Sequence, residues 1–489
     1  MDTLESPWLN SDDWSGKLFS DGWQSAAATH DVIEPATGKT LTTIGMASLD
    51  QLAAATRAAR DAQITWADVA YRDRAAIMRK AAVIMAAHAA EISHWLLREA
   101  GAVGPRADYE IGEAIEILHE AASIASQPQG LVLPGTSKRI SFARRVPLGV
   151  VGVISPFNFP VILAIRAVAP ALALGNAVVL KPDPRTPIAG GYALAKIFEE
   201  ARLPKGILHV LPGGAAVGAA LCSDPNVAMI QFTGSTAAGR KVGELAGKHL
   251  KKVSLELGGK NSLIVLDDAD LDVAASNAAW ASYLHQGQIC MAAGRILVQR
   301  RVASEFTEKL AERARRLPCG DPASGQVALG PLISDEQLEH AKKLVDATIA
   351  AGAKLVAGGT NNGRMYEPTV LADVTSAMPA FKEEIFGPVA CVTPFGSDDE
   401  AVGLANATEY GLSAGIISRS IGRAIAIGNR LRVGLLHIND QTVADEWINP
   451  FGGRGASGNG SSIGGPANVE EFTQWQWVTI KDEATPYPM

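Results

Sequence analysis

Three short segments of this sequence place cysteine, glutamate and asparagine where they could carry out nucleophilic chemistry. The segment GQICMAAGR, residues 287–295, holds Cys290 between Gly287 and Gly294, which suits a loop with close backbone approach. A single cysteine is more often a small buried apolar residue, but the other three cysteines of the chain lack this setting. The segment therefore favours Cys290 as a nucleophile.

A second segment, LELGGKN at residues 255–261, places Glu256 at the end of a predicted strand and before a glycine pair. Burial of a carboxylate on an apolar strand is costly, so we expect the pKa of Glu256 to be raised. A carboxylate with a raised pKa can take a proton from water near neutral pH. A solvated glutamate at a strand end is the alternative.

The third segment, SPFNFP at residues 155–160, follows an apolar β run and opens a predicted helix. Pro160 suits the first turn of that helix, where a missing N–H costs little. Asn158 could present its amide N–H groups to a developing oxyanion. A turn or capping asparagine is the alternative.

Two further segments have features of a cofactor site. FTGSTAAGR, residues 232–240, joins a strand to a helix; its glycines are wrongly spaced for a GxGxxG motif. A helix N-terminus with Gly234 and Ser235 can still bind a pyrophosphate. VLKPDPRTP, residues 179–187, places Lys181 at another strand end, where an ammonium group can bond ribose hydroxyls. A capping serine and a solvated lysine are the alternatives.

The elements that must position these residues alternate between strand and helix from residue 148 onward. This pattern predicts βαβ units and parallel sheets, which bind ligands at the carboxyl ends of their strands. A second series of such units begins near residue 262. The predicted strands are GVVGVIS, NAVVLK, ILHVLP, AMIQF, KVSLEL, SLIVL, RILVQ and AGIIS.

Before residue 148 the pattern is mainly helical. Helices are predicted at residues 48–68, 71–100 and 107–125, and a projecting hairpin at 127–147. The last twenty residues return to a β pattern, which indicates a strand that pairs elsewhere, with this chain or with a partner chain.

The overall composition restricts the classes of function. The 489 residues predict roughly two to four domains. A net charge of -7 gives no electrostatic reason for a nucleic acid or an anionic membrane as partner. The four cysteines lack close pairing, and no cluster of histidine, cysteine and carboxylate is evident, so neither disulfides nor a catalytic metal are expected.

The longest apolar stretch and the N-terminus both argue against a membrane or secreted protein. Residues 160–180 are apolar, but Arg166, Pro170, Gly175 and Asn176 interrupt them, so a buried helix and strand are expected instead of a membrane span. The N-terminus is acidic and lacks the features of a signal peptide. We expect a cytoplasmic protein.

Taken together, the segments resemble those of the aldehyde dehydrogenase superfamily, from about Val32 to the C-terminus. One such segment would be weak evidence, whereas six in the family's order make chance a poor explanation. The six are PFNFP, FTGST, LELGGKN, GQIC, EEIFGPV (383–389) and PFGGRGASG (450–458).

The resemblance implies an α/β fold with three parts. These are a Rossmann-like cofactor domain in residues 1–126 and 148–256, an α/β catalytic domain in residues 257–452, and a small β arm for oligomerisation in residues 127–147 and 468–489. It also implies a homodimer or homotetramer.

The resemblance further implies a catalytic role for each of the three residues above. Cys290 would attack an aldehyde and form a thiohemiacetal, whose oxyanion the Asn158 amide and the Cys290 backbone N–H would bind. After hydride transfer to NAD or NADP, water activated by Glu256 would hydrolyse the thioester.

A set of cofactor contacts follows from the same resemblance. It comprises Lys181 at the adenosine ribose, Gly234 and Ser235 at the pyrophosphate, Glu384 at the nicotinamide ribose, Phe386 at the nicotinamide, and Pro156, Phe157 and Arg185 elsewhere along the cofactor. For Glu384 and Phe386, a surface glutamate and a core phenylalanine are the alternatives.

The choice between NAD and NADP is left open by one departure from the family. Many NAD-specific members carry a glutamate three residues after the ribose-binding lysine, and here Pro184 occupies that position. Arg185 could favour a 2′-phosphate. We therefore expect both cofactors to work.

Three segments are most similar in sequence to the benzaldehyde and vanillin dehydrogenase branch. They are KPDPRTP, AIRAVAPALALGN and HINDQTVADE (437–446). The resemblance implies an aromatic aldehyde as substrate and Arg166, Met291 and Trp447 along the substrate tunnel. Core packing or surface placement of these three side chains, and an aliphatic aldehyde or semialdehyde as substrate, are the alternatives.

Three other functions are alternatives to an aldehyde dehydrogenase that hydrolyses its thioester. A CoA-acylating aldehyde dehydrogenase is disfavoured because such enzymes generally dispense with the base at Glu256. A catalytically silent homologue is disfavoured by the intact set of Cys290, Glu256 and Asn158. A cofactor-independent cysteine hydrolase leaves the cofactor segments unexplained.

Overall fold

Two seven-stranded sheets, both packed against helices, form the framework of the protein. The computed structural model describes residues 7–135 and 138–489. The central strands are buried along their whole length, as in Val150–Ile154 and Ala177–Lys181. Such strands are typical of parallel sheets that are covered on both faces. The α/β class that the sequence predicts is confirmed.

The first sheet combines a parallel part with an antiparallel edge. In spatial order its strands are Lys252–Glu256, Val227–Thr233, Val150–Ile154, Ala177–Lys181, Leu208–Val210, Lys17–Ser20 and Trp23–Ser25. The first five pair in parallel, and the last two are antiparallel. The five parallel strands were predicted. The two N-terminal strands were not, because segments of three and four residues are too short for a period to be read.

The second sheet lies within residues 262–438. In spatial order its strands are Lys354–Ala357, Thr369–Ala372, Val389–Phe395, Arg295–Gln299, Ser262–Val265, Ser413–Ile417 and Leu435–Ile438. The first pairs antiparallel with its neighbour and the other pairings are parallel. The predicted strands SLIVL, RILVQ and AGIIS are confirmed.

Most of the described helices have eight residues or more. The longer ones are Leu49–Asp68, Tyr71–Ala87, Ala89–Ala100, Gly104–Ile124, Pro160–Ala173, Ala193–Glu200, Ala215–Ser223, Thr236–Lys248, Leu271–Tyr283, Ala303–Arg316, Asp335–Ala350, Asp398–Ala405 and Ile421–Gly428. Short helices cover Ser11–Trp14, Pro379–Lys382 and Ala467–Glu471, with a π-helical turn at Ile188–Tyr192 and a 3-10 turn at Leu284–Gly287.

The single helix predicted over residues 71–100 is wrong, since two helices meet at His88. The His88 ring stacks on Trp8 at a centroid distance of 4.1 Å, a contact that is remote in sequence. Gly101 ends the second helix in the left-handed region, as predicted. The helix predicted at residues 48–68 has Ser48 as its cap, with a complete capping box.

A separate three-stranded sheet contains strands from the predicted hairpin region and the C-terminal strand. Its strands are Thr473–Ile480, Ile140–Pro147 and Gly130–Val132 in spatial order. The C-terminal strand pairs antiparallel with Ile140–Pro147 of the same chain. Short two-stranded pairs join Ala28–Ile33 to Thr40–Met46, Asn361–Asn362 to Met365–Tyr366, and Tyr410–Gly411 to Arg454–Gly455.

The described residues contain neither a candidate membrane span nor a candidate metal cluster. Within residues 7–135 and 138–489, no helix has both the length and the apolar character needed to cross a bilayer. The same ranges hold no group of three histidine, cysteine or carboxylate side chains arranged to bind a metal ion.

Candidate active site

The carboxyl ends of the parallel strands bring the predicted site segments to one edge of the first sheet. Lys181 is the last residue of its strand and pairs with Ile154, four residues before Asn158. Glu256 likewise ends its strand and pairs with Thr233, next to Gly234. This is the edge at which open α/β sheets bind ligands.

A cavity of about 820 Å³ is lined in part by Cys290. Its wall is mainly apolar and aromatic, and includes Tyr109, Phe159, Trp280, Tyr283 and Phe451. Asn158, Arg166 and Met291 also line it. A cavity of this size and lining suits a small apolar ligand with a few polar anchor points.

The loop that carries Cys290 begins with three consecutive residues in the left-handed region. His285, Gln286 and Gly287 have φ values of 49°, 57° and 68°. A Cβ at Gly287 would collide with the carbonyl oxygen of Gly387, so glycine is required there. The Gln286 side-chain amide donates to two backbone carbonyls at 2.9 Å, which fixes the turn. The loop therefore holds Cys290 in one place.

Asn261 and the glycine pair before it fix the other side of the loop. The Asn261 Nδ2 donates to the carbonyl of Cys290 at 2.8 Å. A Cβ at Gly259 would lie 2.5 Å from the same carbonyl oxygen, and one at Gly258 would collide with the Glu384 carboxylate. The absence of both Cβ atoms therefore lets Glu384 and the Cys290 loop approach the strand end.

The Cys290 thiol is half-buried beside carboxylates. Burial raises its pKa to about 12, and the negative charges of Glu384 and Glu256 contribute. A thiol in this state is protonated near neutral pH, so its reaction as a nucleophile needs a base.

Glu256 is a buried carboxylate whose two oxygens have no hydrogen-bond partner among the described residues. Burial raises its pKa well above the ordinary value, while the positive charge of Arg166 opposes this. The raised pKa agrees with the expectation from the sequence. Both oxygens are free to accept a proton from water or from a thiol.

Asn158 links the start of a helix to the Cys290 loop. Its Nδ2 donates to the carbonyl of Gln288 at 2.9 Å. An amide nitrogen carries two N–H groups, so one remains for a further acceptor. Because Asn158 and Cys290 line the same cavity, this second N–H suits an oxyanion that forms next to the sulfur.

The three residues predicted along the substrate tunnel fall in different places. Arg166 is buried in the cavity wall, where it donates two hydrogen bonds to Asp445 at 2.7 and 3.0 Å. Met291 is also buried in the wall. Trp447 is not part of the wall and packs against the apolar core around the first sheet.

The cofactor segments form a second group of contacts at the strand ends. Ser235 caps the helix Thr236–Lys248 by accepting from the N–H of Ala238 at 3.3 Å, and no acidic residue lies in the first turn. A Cβ at Gly234 would lie 2.6 Å from the Phe232 ring, so only glycine fits between strand and helix. The other N–H groups of this helix start can bind an anion.

Lys181 and Arg185 occupy the adjacent strand end. Lys181 is 9% exposed, and burial lowers its pKa. The neighbouring carboxylate, Asp183, accepts two hydrogen bonds from the Arg185 guanidinium at 2.8 and 2.7 Å. Because Asp183 is bound by Arg185, the Lys181 ammonium group is available to a ligand.

Glu384 and two phenylalanines complete this side. Glu384 accepts from the N–H of Gly259 at 2.9 Å, and burial raises its pKa to about 7. The rings of Phe386 and Phe157 meet edge to face at 6.0 Å, and the Arg185 guanidinium lies 4.2 Å from the centre of the Phe157 ring. Pro156, next to Phe157, is partly buried. These groups fit a dinucleotide. The start of the helix Thr236–Lys248 can bind its phosphates, and Lys181 and Glu384 can bind its ribose hydroxyls.

Comparison with known proteins decides the family. The profile of the aldehyde dehydrogenase family matches residues 23–478. The chain belongs to the aldehyde dehydrogenase family.

Two relatives in this family align over nearly the whole chain. A vanillin dehydrogenase of Amycolatopsis sp. is 53% identical over 482 residues, which covers 98% of this chain and 99% of that protein. A benzaldehyde dehydrogenase (NAD(+)) of Pseudomonas putida is 50% identical over 477 residues, with 97% and 98% covered.

A solved aldehyde dehydrogenase structure has the same fold. The crystal structure of a salicylaldehyde dehydrogenase from Pseudomonas putida G7, complexed with salicylaldehyde, superimposes with a TM-score of 0.93 at 34% identity. The superposition covers 97% of this chain and 99% of that one. The fold expected from the sequence resemblance is therefore confirmed.

Several residues of this aldehyde dehydrogenase site were not predicted from the sequence. Asp445 binds Arg166 across a long sequence separation, and Asn261 binds the carbonyl of Cys290. Asn261 belongs to the LELGGKN segment, so its position next to Glu256 was a usable signal. Asp445 lies in the HINDQTVADE segment, but its partner Arg166 is identified only by the folded chain.

Proposed function

We propose that this aldehyde dehydrogenase oxidises aromatic aldehydes to carboxylic acids, with NAD or NADP as cofactor. The observation that carries the proposal is an aromatic-lined cavity of about 820 Å³ that ends at Cys290 and Asn158. The names of the relatives agree with it, since vanillin, benzaldehyde and salicylaldehyde each carry the aldehyde on a benzene ring.

The first chemical step is assigned to Cys290 and Asn158. The Cys290 sulfur attacks the aldehyde carbon, and the carbonyl oxygen becomes an oxyanion. The free N–H of the Asn158 amide and the backbone N–H of Cys290 bind that oxyanion. Because the pKa of the thiol is raised to about 12, the proton must be removed, and the unpaired carboxylate of Glu256 is assigned to receive it.

The second step is assigned to Glu256. When bound, the nicotinamide ring would accept a hydride from the carbon that is attached to the Cys290 sulfur. What remains on Cys290 is a thioester. Glu256 first releases to solvent the proton that it took from Cys290. It then takes a proton from a water molecule that attacks the thioester carbon. The C–S bond breaks, the Cys290 sulfur regains a proton, and the carboxylic acid leaves. Retention of this base favours hydrolysis over transfer to CoA.

The cofactor contacts are assigned to the strand ends. Lys181 binds the adenosine ribose, Gly234 and the helix start at Ser235 bind the pyrophosphate, and Glu384 binds the nicotinamide ribose. We propose a cofactor domain in residues 1–126 and 148–256, which carries Lys181, Gly234 and Ser235, and a catalytic domain in residues 257–452, which carries Glu384. Pro156, Phe157 and Phe386 supply apolar surface to the cofactor.

Both NAD and NADP are proposed as cofactors. Pro184 presents no carboxylate that would repel a 2′-phosphate. Arg185 is already bound to Asp183 and packed on Phe157, so a phosphate would have to compete for it. NADP is therefore expected to bind more weakly than NAD.

The oligomer is proposed to be a homodimer or homotetramer that forms through the arm, residues 127–147 and 468–489. Each strand of the three-stranded sheet exposes at least one large apolar side chain. These are Leu131, Val132, Ile140, Trp475, Trp477 and Ile480. Exposed apolar surface of this kind marks an interaction site.

The decisive experiment measures reduced-nicotinamide formation with benzaldehyde and with vanillin, using NAD and NADP in separate assays without CoA. Turnover that disappears in Cys290→Ala is the expected result. Turnover with a short aliphatic aldehyde alone would refute the aromatic substrate class. A rate that requires CoA would refute hydrolysis.

A further inference from the structure

A buried ion pair lies on the helix Gly104–Ile124, outside every segment that the sequence singled out. Arg106 and Glu110 are one helical turn apart, and Arg106 Nη1 lies 2.6 Å from Glu110 Oε2. Their side chains are 1% and 0% exposed. Removal of both charges from water is costly, so such a pair is weak evidence of a stabilising role.

Arg106 contacts the residue proposed to bind the oxyanion. Its Nη2 donates to the backbone carbonyl of Asn158. Its guanidinium carbon lies 4.0 Å from the centre of the Phe159 ring, the next residue along the chain. The arginine therefore holds both the backbone and the following side chain of the Asn158 turn.

Glu110 contacts the other end of the same turn. One of its oxygens accepts from the N–H of Val161 at 2.8 Å and from the N–H of Ile162 at 3.1 Å. These N–H groups lie in the first turn of the helix Pro160–Ala173, whose own N-cap residue, Phe159, provides no side-chain cap. Glu110 therefore caps this helix from a neighbouring one.

The two contacts leave little freedom to the segment between them. Asn158 is held at its carbonyl by Arg106, at its amide by Gln288, and through the following helix by Glu110. A donor to an oxyanion must lie within about 2.7–3.1 Å of it. A misplacement of about 1 Å can cost about 100-fold in rate.

We propose that Arg106 and Glu110 are positioning residues of the oxyanion site, which act on the reaction through the backbone of Asn158. The inference rests on the proposed role of Asn158. This role would explain why a buried ion pair occupies a position that apolar side chains of similar volume could fill without loss of stability.

The test is a double-mutant cycle with Arg106→Met, Asn158→Ala and the combined variant, assayed with benzaldehyde and NAD. Arg106→Met is expected to lower kcat about 10- to 100-fold. Asn158→Ala is expected to lower it about 100- to 1000-fold. The combined variant is expected to be no slower than Asn158→Ala, because Arg106 acts only through that residue.

Two further readouts separate positioning from a general loss of structure. Calorimetric binding of NAD should change little in Arg106→Met, since Arg106 contacts Asn158 and Phe159 and none of the proposed cofactor contacts directly. Arg98→Met serves as the matched control, because Arg98 also pairs with a largely buried glutamate, Glu34, and does not contact the Asn158 segment. It should leave kcat unchanged. If Arg106→Met does not fold, Glu110→Gln, which keeps an acceptor oxygen, replaces it in the cycle.

The outcomes are distinguishable. Multiplicative losses in the combined variant, or an unchanged kcat in a folded Arg106→Met protein, would overturn the positioning role and leave the proposed function intact. An unchanged kcat in Asn158→Ala would overturn the oxyanion role itself, and the inference with it.

Discussion

Glu256 combines two properties that oppose each other at the scale of the single residue. Its carboxylate is buried without a hydrogen-bond partner in the described structure, which destabilises the charged form. The same isolation raises its pKa and leaves both oxygens free to accept a proton. The catalytic carboxylate is therefore expected to reduce the stability of the fold.

Glu256→Gln is expected to lower kcat by about 10²- to 10⁴-fold, since the base is lost. It should also raise the Tm. A carboxyl whose folded pKa is raised reduces stability as pH rises from its ordinary pKa towards the raised one, so the gain in Tm should grow over that range. Thermal unfolding at several pH values measures this. Glu244→Gln, an exposed glutamate, is the control, and an equal gain there would contradict the explanation.

Glu384 gives a second prediction at this scale. Its pKa is raised to about 7, so it is protonated below that pH and ionised above it. An ionised carboxylate accepts ribose hydroxyls better, and NAD binding should therefore tighten as pH rises through about 7. Calorimetric titration one unit below and one unit above this value tests the effect. Glu384→Gln should remove the pH dependence, and Glu383→Gln, its exposed neighbour, should retain it.

At the scale of the element, the turn before Cys290 determines where the sulfur lies. Three left-handed residues in succession are unfavourable for an isolated chain, and side-chain hydrogen bonds from Gln286 hold them. The site thus depends on a strained loop that is anchored to the backbone carbonyls of Gly101 and Pro331, both remote in sequence.

Gly287→Ala is expected to abolish most activity and lower the Tm. The left-handed backbone costs an alanine roughly 1–2 kcal/mol, and its Cβ would collide with the carbonyl of Gly387. Gly247→Ala is the matched control, because open space surrounds that position in a helix. It should be neutral or stabilise by about 0.5–1 kcal/mol. Equal effects of the two substitutions on kcat and Tm would count against the strained-turn explanation.

Local sequence patterns predicted most of the elements and the segments of the candidate site. The features that they missed are determined by contacts between residues that are distant in sequence. Cys290, Glu256 and Asn158 each lie in a short motif, so they could be proposed as catalytic residues without the fold. The break at His88 depends on Trp8, and the orientation of Trp447 depends on the core around the first sheet. Arg106 and Glu110 were missed because a helical ion pair has no signature until its partners are known.

At the scale of the whole molecule, the arm has exposed apolar side chains on its two edge strands, Gly130–Val132 and Thr473–Ile480. Val132 is 92% exposed at the end of the strand Gly130–Val132. Burial of such an apolar side chain against a second subunit would be favourable in free energy.

Val132→Asp is expected to shift the assembly towards monomers without loss of secondary structure, since a carboxylate would be buried in the interface. Light scattering after size-exclusion chromatography measures the mass. Val83→Asp, at a 65% exposed position on the helix Tyr71–Ala87, is the control and should leave the mass unchanged. An unchanged mass for Val132→Asp would place the interface elsewhere.

The pairing of Ile140–Pro147 with Thr473–Ile480 has a consequence for biosynthesis. The ribosome makes every strand of both seven-stranded sheets before it makes residues 473–480. Until those residues emerge, the strand Ile140–Pro147 has an open edge that another nascent chain could pair with. The arm is therefore completed only after both sheets have been synthesised. In the proposed oligomer, association through the complete arm would have to wait until translation has passed residue 480.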